Sequence, residues 1–317
     1  MVEFRILGPV EAVHAGSILP LGGPRHRRLL AVLLLHAGRL VPAKKLIDTL
    51  WGDVPPRSAP AMLHVRVSEL RAALRGAAPL LQTRDGGYLL AAEPDEVDAT
   101  RFERLVAAGT AALADDDPAR ARADLEAGLA LWQGPALAEF ADEPFARSDA
   151  ARLGELRLQA VESRIAADLQ LGRHREIVAE LEQLVAEHPL RERFWVQRML
   201  ALYRAGRQAE ALQAYQTARR HINEQLGLDP GEALQRVHHS ILTADPALDV
   251  ATGSKAASSE PRPGAAAGRV TPAQLPADVS AFTGRAVQLH DLDEMLPDDL
   301  GDAPAATVAV VSGTAGV

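Results

Sequence analysis

The sequence predicts a mainly α-helical chain with small antiparallel sheets, and three observations carry that expectation. Apolar residues recur at helical spacing in three short segments between residues 22 and 76, then through the long Ala/Leu/Arg/Glu-rich stretch 97–246. Strand-like alternation is confined to the N-terminal part, at residues 2–21 and around Asp85-Gly86-Gly87. A glycine-centred pattern repeats at 34 residues, from Gly172 to Gly206, which is the period of a stacked helix pair.

Length and charge bound the possibilities. At 317 residues the chain has room for two or three domains, each able to bury a core. It contains no Cys, which excludes disulfides and Cys-ligated zinc and suits a reducing cytoplasm. The longest apolar run, Leu29 to Leu35, is too short to span a bilayer, so no membrane partner is expected. The net charge of −8 hides an asymmetry. Residues 1–92 carry 12 Lys/Arg against 6 Asp/Glu, a balance of +6, whereas the remainder carries 22 against 36, a balance of −14. A basic segment on an acidic body points to an anionic partner for the first segment.

Each N-terminal element has a local reason. Phe4, Ile6, Val10 and Ala12 alternate with polar residues around Gly8-Pro9, as in a short antiparallel sheet. A first helix follows at "GGPRHRRLLAVLLLHAG", with Pro24 near its start and Gly38 at its end. "VPAKKLIDTLWG" predicts a second helix, opened by Pro42 and closed by Gly52. The third runs from about Ser58 to Arg75, with Leu63, Val67, Leu70 and Leu74 forming one stripe for the core. Opposite that stripe lie Ala61, Val65, Ser68 and Ala72, flanked by His64, Arg71 and Arg75. "LLQTRDGGYLL" then reads as two strands around a Gly-rich turn.

Three helices followed by a hairpin is the order of a winged helix. A third helix with small outward residues can lie deep in a DNA major groove while flanking arginines reach phosphates. Thr83 and Arg84 would extend the hairpin to the adjacent backbone. Arg25, Arg27 and Arg28 would set cations beside the free N–H groups of the first helix.

The stretches "QTRDGGYLL" and "LWGDVPPRSAPAMLHVRVSELRAAL" make the resemblance specific. Residues 1–92 resemble the winged helix of OmpR-type response regulators and, more narrowly, the Streptomyces antibiotic regulatory protein family. That resemblance places Arg66, Ser68 and Arg71 where relatives touch DNA, and Arg84 in the wing. Arg57, His64, Val65 and Thr83 complete the candidate DNA-contacting set. One residue departs from the family pattern. Glu69 stands where relatives commonly carry Arg, and a carboxylate facing phosphate would repel. It can instead accept from a cytosine amino group or turn back to a neighbouring Arg.

In residues 97–246 the 34-residue repeat puts Trp195, Ala211, Tyr215 and Ala218 at tetratricopeptide signature positions. Small residues let paired helices approach, and Trp195 and Tyr215 fill the space between pairs. By resemblance this is the family's bacterial transcriptional activation domain. Residues 247–276, rich in Ala, Gly, Ser and Pro, read as a disordered linker. Residues 277–317 resemble the start of an NB-ARC-like ATPase domain. Phe282, Gly284 and Arg285 lead toward the strand "VAVV", and Gly313 and Gly316 form an incomplete phosphate-binding loop. The resemblance implies the N-terminal part of a large family member, with ATP as a cofactor of the whole protein. No nucleotide hydrolysis is expected of this chain, because the Lys and the hydroxyl residue of that loop are missing.

The expected function is a sequence-specific transcription activator in the cytoplasm, not an enzyme. The resemblance implies that it binds direct repeats in duplex promoter DNA as a head-to-tail pair. It further implies control of antibiotic genes, and recruitment of RNA polymerase through the sigma factor and the C-terminal domain of the polymerase α-subunit. Two other classes stay open at this point: an ATP-dependent signalling switch lacking its ATPase domain, and a helical scaffold that binds only protein. The 10 His are scattered, and His238 and His239 diverge on one helix, so a metalloenzyme is not expected.

Overall fold

The N-terminal alternation builds a three-stranded antiparallel meander of β1 (Val2–Arg5), β2 (Glu11–His14) and β3 (Ser17–Ile18). Val2 pairs with His14 and Arg5 with Glu11, so Val2 and Phe4 point into the core together. In this computed structural model, residues 2–74 and 80–248 are described, and they fall within one compact unit. Arg75, most of the linker, and the loop glycines Gly313 and Gly316 lie outside the described residues.

Next come α1 (Pro24–Leu35), β4 (Leu40–Pro42), α2 (Ala43–Trp51), α3 (Ala59–Ala73) and the hairpin β5 (Leu81–Arg84)–β6 (Gly87–Leu90). The strand β4 corrects the sequence reading, which ran directly into a second helix at Pro42. Leu40, Val41 and Pro42 instead pair with Leu89, Tyr88 and Gly87, giving a second sheet in the order β4-β6-β5. Pro42 tolerates this place because an edge strand does not require its missing N–H. Pro42 then hands over to α2, which begins at Ala43.

The helical part consists of α4 (Asp98–Ala114), α5 (Pro118–Leu129), α6 (Arg147–Gln170), α7 (Val178–Glu187), α8 (Glu192–Arg204), α9 (Gln208–Leu226) and α10 (Glu232–Leu242). The 34-residue period is visible in backbone hydrogen bonds. Arg173 N donates to Asp168 O and Arg207 N to Leu202 O, both at 2.9 Å, around left-handed Gly172 and Gly206. This is the six-to-one bond that closes a helix when the residue past its end takes positive φ. The same bond joins Asp117 N to Ala112 O after α4, at 2.9 Å, with Asp116 taking the left-handed place. Trp195, Ala211, Tyr215 and Ala218 are all buried, and Trp195 Nε1 donates to Pro189 O at 2.9 Å.

The cores do not divide where the motifs do. One continuous core runs from Val2 through the winged helix into α4, α5 and α6 as far as Ala160. A second begins at Ile165 and ends at Leu248. The division therefore falls inside α6. Two features weld the first core across residues 92–97. Phe102 of α4 is fully buried in it and meets Trp132 edge-on at 5.3 Å between centroids. The buried carboxylate of Asp98 accepts from the backbone N–H groups of Ile6, Leu7 and Ala99 at 2.7–3.0 Å. Burial pushes the Asp98 carboxyl up to about 6, against the pull of those three donors.

Candidate nucleic-acid interface

Helix α3 presents the two faces its sequence requires. Ala59, Leu63, Val67 and Leu70 are buried, and Ala61, Val65, Ser68 and Ala72 are exposed on the opposite side. Val65 is 56% exposed, an apolar side chain standing in solvent at the centre of a low outer face. Low relief lets a helix seat against base edges in a groove.

One flank of α3 is tied to the wing. Arg71 Nε donates to Leu81 O at 2.8 Å, and its Nη2 donates to Thr83 Oγ1 at 2.7 Å. Arg71 and Thr83, each expected at DNA, are thus bonded to each other, which fixes the wing against the helix. His64 Nδ1 shares a hydrogen bond of 2.9 Å with the Tyr88 hydroxyl on β6. Burial raises the Tyr88 phenol above its usual range, and the Arg71 charge pulls the other way. Arg84 is exposed at the wing tip, with Nη2 donating to Gln82 Oε1 at 2.7 Å.

The other flank carries Arg66 and Glu69. Arg66 is half-buried, and its Nε has no partner among the described residues. Glu69 is exposed and bonded to His26 of α1 at 2.7 Å. Arg25 and Arg57 are exposed near the first turns of α1 and α3. Neither has an ion-pair partner among the described residues.

Arg27 and Arg28 stand differently from expectation. Arg27 Nε donates to Glu139 Oε2 at 2.7 Å, and Arg28 Nη2 donates to Glu143 Oε1. The Arg28 guanidinium also lies over the Phe140 ring, 5.7 Å from its centroid. Both arginines are turned toward the segment between α5 and α6. That segment is itself fixed, because Gln133 N, Leu137 N and Ala138 N donate to Leu7 O, Ile6 O and Gly8 O at 2.8–3.0 Å.

Residues 21–90 match the family described as transcriptional regulatory protein, C terminal, and residues 97–242 match the bacterial transcriptional activator domain. The transcriptional regulator RedD of Streptomyces coelicolor is 42% identical over 257 residues, covering 78% of this chain and 73% of that protein. The regulatory protein DnrI of Streptomyces peucetius is 36% identical over 257 residues, covering 78% of this chain and 94% of that one. The chain belongs to the Streptomyces antibiotic regulatory protein family. A third member, the regulatory protein AfsR of Streptomyces coelicolor, is 42% identical over all 317 residues, and the chain spans 31% of its length. Among solved structures, Mycobacterium tuberculosis EmbR in complex with a low-affinity phosphopeptide shares the fold at a TM-score of 0.74 and 35% identity. That alignment covers 77% of this chain and 66% of EmbR. The members of this family are transcriptional regulators.

The sequence had no signal for Glu139, Glu143 or Tyr88 as partners of interface residues. His26 sits within the basic run "PRHRR", where it reads as one more cation. Among the described residues, no helix is long and apolar enough to cross a membrane, and no group of three or more His, Cys, Asp or Glu is placed to hold a metal ion.

Proposed function

We propose that this regulator is a sequence-specific DNA-binding activator of transcription that acts in the cytoplasm on promoters of antibiotic-biosynthesis genes. The observation that carries this reading is the bare outer face of α3, Ala61–Val65–Ser68–Ala72, opposite a fully buried stripe. In this reading α3 enters the major groove, and Val65, Ser68, His64 and Arg66 face base edges. Arg25, Arg57, Arg71, Arg75, Thr83 and Arg84 approach phosphates on either side. Two protomers sit head-to-tail on a direct repeat, with repeat centres about one helical turn apart, roughly 10–11 base pairs. The stacked helices of residues 97–246 then offer a protein-binding surface to RNA polymerase, at its sigma factor and at the C-terminal domain of its α-subunit.

The test is selection of duplexes by the full chain, followed by titration of the selected site across salt. If about five to seven phosphates are neutralised per protomer, the log–log slope is roughly −4.5 to −6, and a slope near zero overturns the DNA reading. Inserting half a helical turn between repeats should abolish paired binding. Unaltered affinity would refute the head-to-tail arrangement. Transcription with purified polymerase from a promoter carrying the selected site should rise on adding the chain. Tight binding without a rise would leave the DNA reading standing and remove the polymerase one.

A further inference from the structure

Glu69 is the residue on α3 that fits worst with a polyanion, and the structure shows it held in place. Its side chain is 54% exposed, and Oε2 is 2.7 Å from Nε2 of His26. A carboxylate accepts, so His26 Nε2 donates. His26 projects from α1 with only 14% of its side chain exposed. Its Nδ1 is buried and unpartnered. The ring lies against Gly22, where an added Cβ would stand 2.9 Å from Nδ1 and where φ is +88°. Arg27 Nη1 in turn donates to the carbonyl of Gly22 at 3.2 Å. Packing, and not a flexible tether, therefore sets the position of the imidazole and of the carboxylate it holds.

This arrangement leaves Glu69 with one oxygen occupied and Oε1 without a hydrogen bond among the described residues. In the major groove, phosphate oxygens, guanine O6 and N7, and thymine O4 are all acceptors and would be repelled by it. Two bases present amino donors there. The adenine N6 amino group is flanked by acceptors on both sides, its own N7 and thymine O4, whereas cytosine N4 has guanine O6 on one side and only C5–H on the other. A fixed carboxylate oxygen thus favours cytosine over each of the other three bases.

We propose that Glu69 reads a cytosine in the bound site and that His26 is its positioning residue. This rests on the reading of α3 as the groove-binding helix. The test uses the full chain and its Glu69→Gln, Glu69→Ala, His26→Ala and His26→Gln variants, each selecting duplexes from a library with a randomised site. Affinity is then measured on single-base variants of the selected duplex. The native chain should require C·G at one position and lose about tenfold when that pair is changed. Glu69→Ala should flatten the preference at that position alone. Glu69→Gln should shift it toward adenine, because an amide can both donate to N7 and accept from N6. His26→Ala should blunt the cytosine preference while the other positions keep theirs, and His26→Gln, which restores a donor to the carboxylate, should recover it. Retention of the same preference at every position by Glu69→Ala and Glu69→Gln, with binding intact, would overturn the proposal. Selection of no duplex by the native chain would overturn the DNA reading itself, and the proposal with it.

Discussion

Arg27 on α1 and Glu139, 112 residues further along the chain, form a 2.7 Å ion pair that joins the winged helix to the helical segment. Arg28 and Glu143 repeat the arrangement one residue on. On the proposal that the start of α1 meets a DNA strand, these carboxylates stand on cations that would otherwise be available to phosphates. The acidic helical body thus neutralises two cations of the basic N-terminal part. Both pairs are about one-third exposed, so each is worth little to stability, on the order of 1 kcal/mol or less. Their consequence is electrostatic.

Glu139→Gln and Glu143→Gln together should leave the fold intact and release both arginines. If each then meets one phosphate, the salt slope of DNA binding steepens by about 0.9 per contact, or about 1.8 for the pair. Affinity at low salt should rise accordingly. An unchanged slope across a titration would show that Arg27 and Arg28 serve the joint between the two segments and nothing else.

Asp98 gives a separate handle on that joint. Its carboxyl titrates near 6 in the folded chain, above the ordinary 3.8. The folded state therefore holds the proton to higher pH than the unfolded state does. The contribution of this group to stability is then greatest below about pH 4 and declines as pH rises through 6, by about 3 kcal/mol in total. Asp98→Asn keeps an acceptor for Ile6 and Leu7 and removes the titration. Denaturant midpoints of the two proteins between pH 4 and 8 should differ by that slope. Parallel curves would contradict it. Asp98→Ala instead strands three buried N–H donors and should cost about 2–4 kcal/mol at pH 4, a cost that shrinks as pH rises through 6 because only the native chain loses stability there.

What the sequence made legible follows from range. The stripe Leu63–Val67–Leu70–Leu74 and the glycines at 172 and 206 signal through near neighbours, and both elements stand where the pattern implied. β4 is three residues long, too short to show alternation, and its partner β6 lies over forty residues away. The charged partnerships were hidden for the same reason. An Arg in a basic run reads as a free cation until the chain brings Glu139 or Glu143 back to it. The division of the core inside α6 was equally invisible, because the family patterns change near residue 92 while packing does not.

The helix-pair turns allow a paired comparison. Gly172 and Gly206 both have positive φ, and an added Cβ would meet nothing within 4 Å at either place. The cost of Ala is then backbone strain alone, about 1–2 kcal/mol at each site. Equal losses at the two positions, read from thermal or denaturant unfolding, would match their equivalence in the repeat. A much larger loss at one would mean that its turn carries a packing role the other lacks.

Asp168 makes the strongest demand on the helical body. Its carboxylate is almost fully buried in α6 and accepts from Arg122 Nε of α5 and Arg164 Nη1, each at 2.8 Å. Arg173 Nε, just past the turn after α6, stands 3.5 Å away. Arg164 also reaches Glu180 on α7, so one buried acid organises cations from two adjoining helix pairs. Removing it leaves Arg164, only 12% exposed, and Arg122 with a positive charge and no central acceptor. Asp168→Ala should therefore destabilise by about 3 kcal/mol or more, well beyond the loss of any surface pair. Asp168→Asn keeps a carbonyl acceptor and should cost less, while both variants raise the mutual repulsion of the arginines. Urea unfolding of the three proteins checks the order, native above Asn above Ala. Equal stability of all three would mean that Glu126 and Glu180, which already pair with Arg122 and Arg164, suffice to hold the cluster.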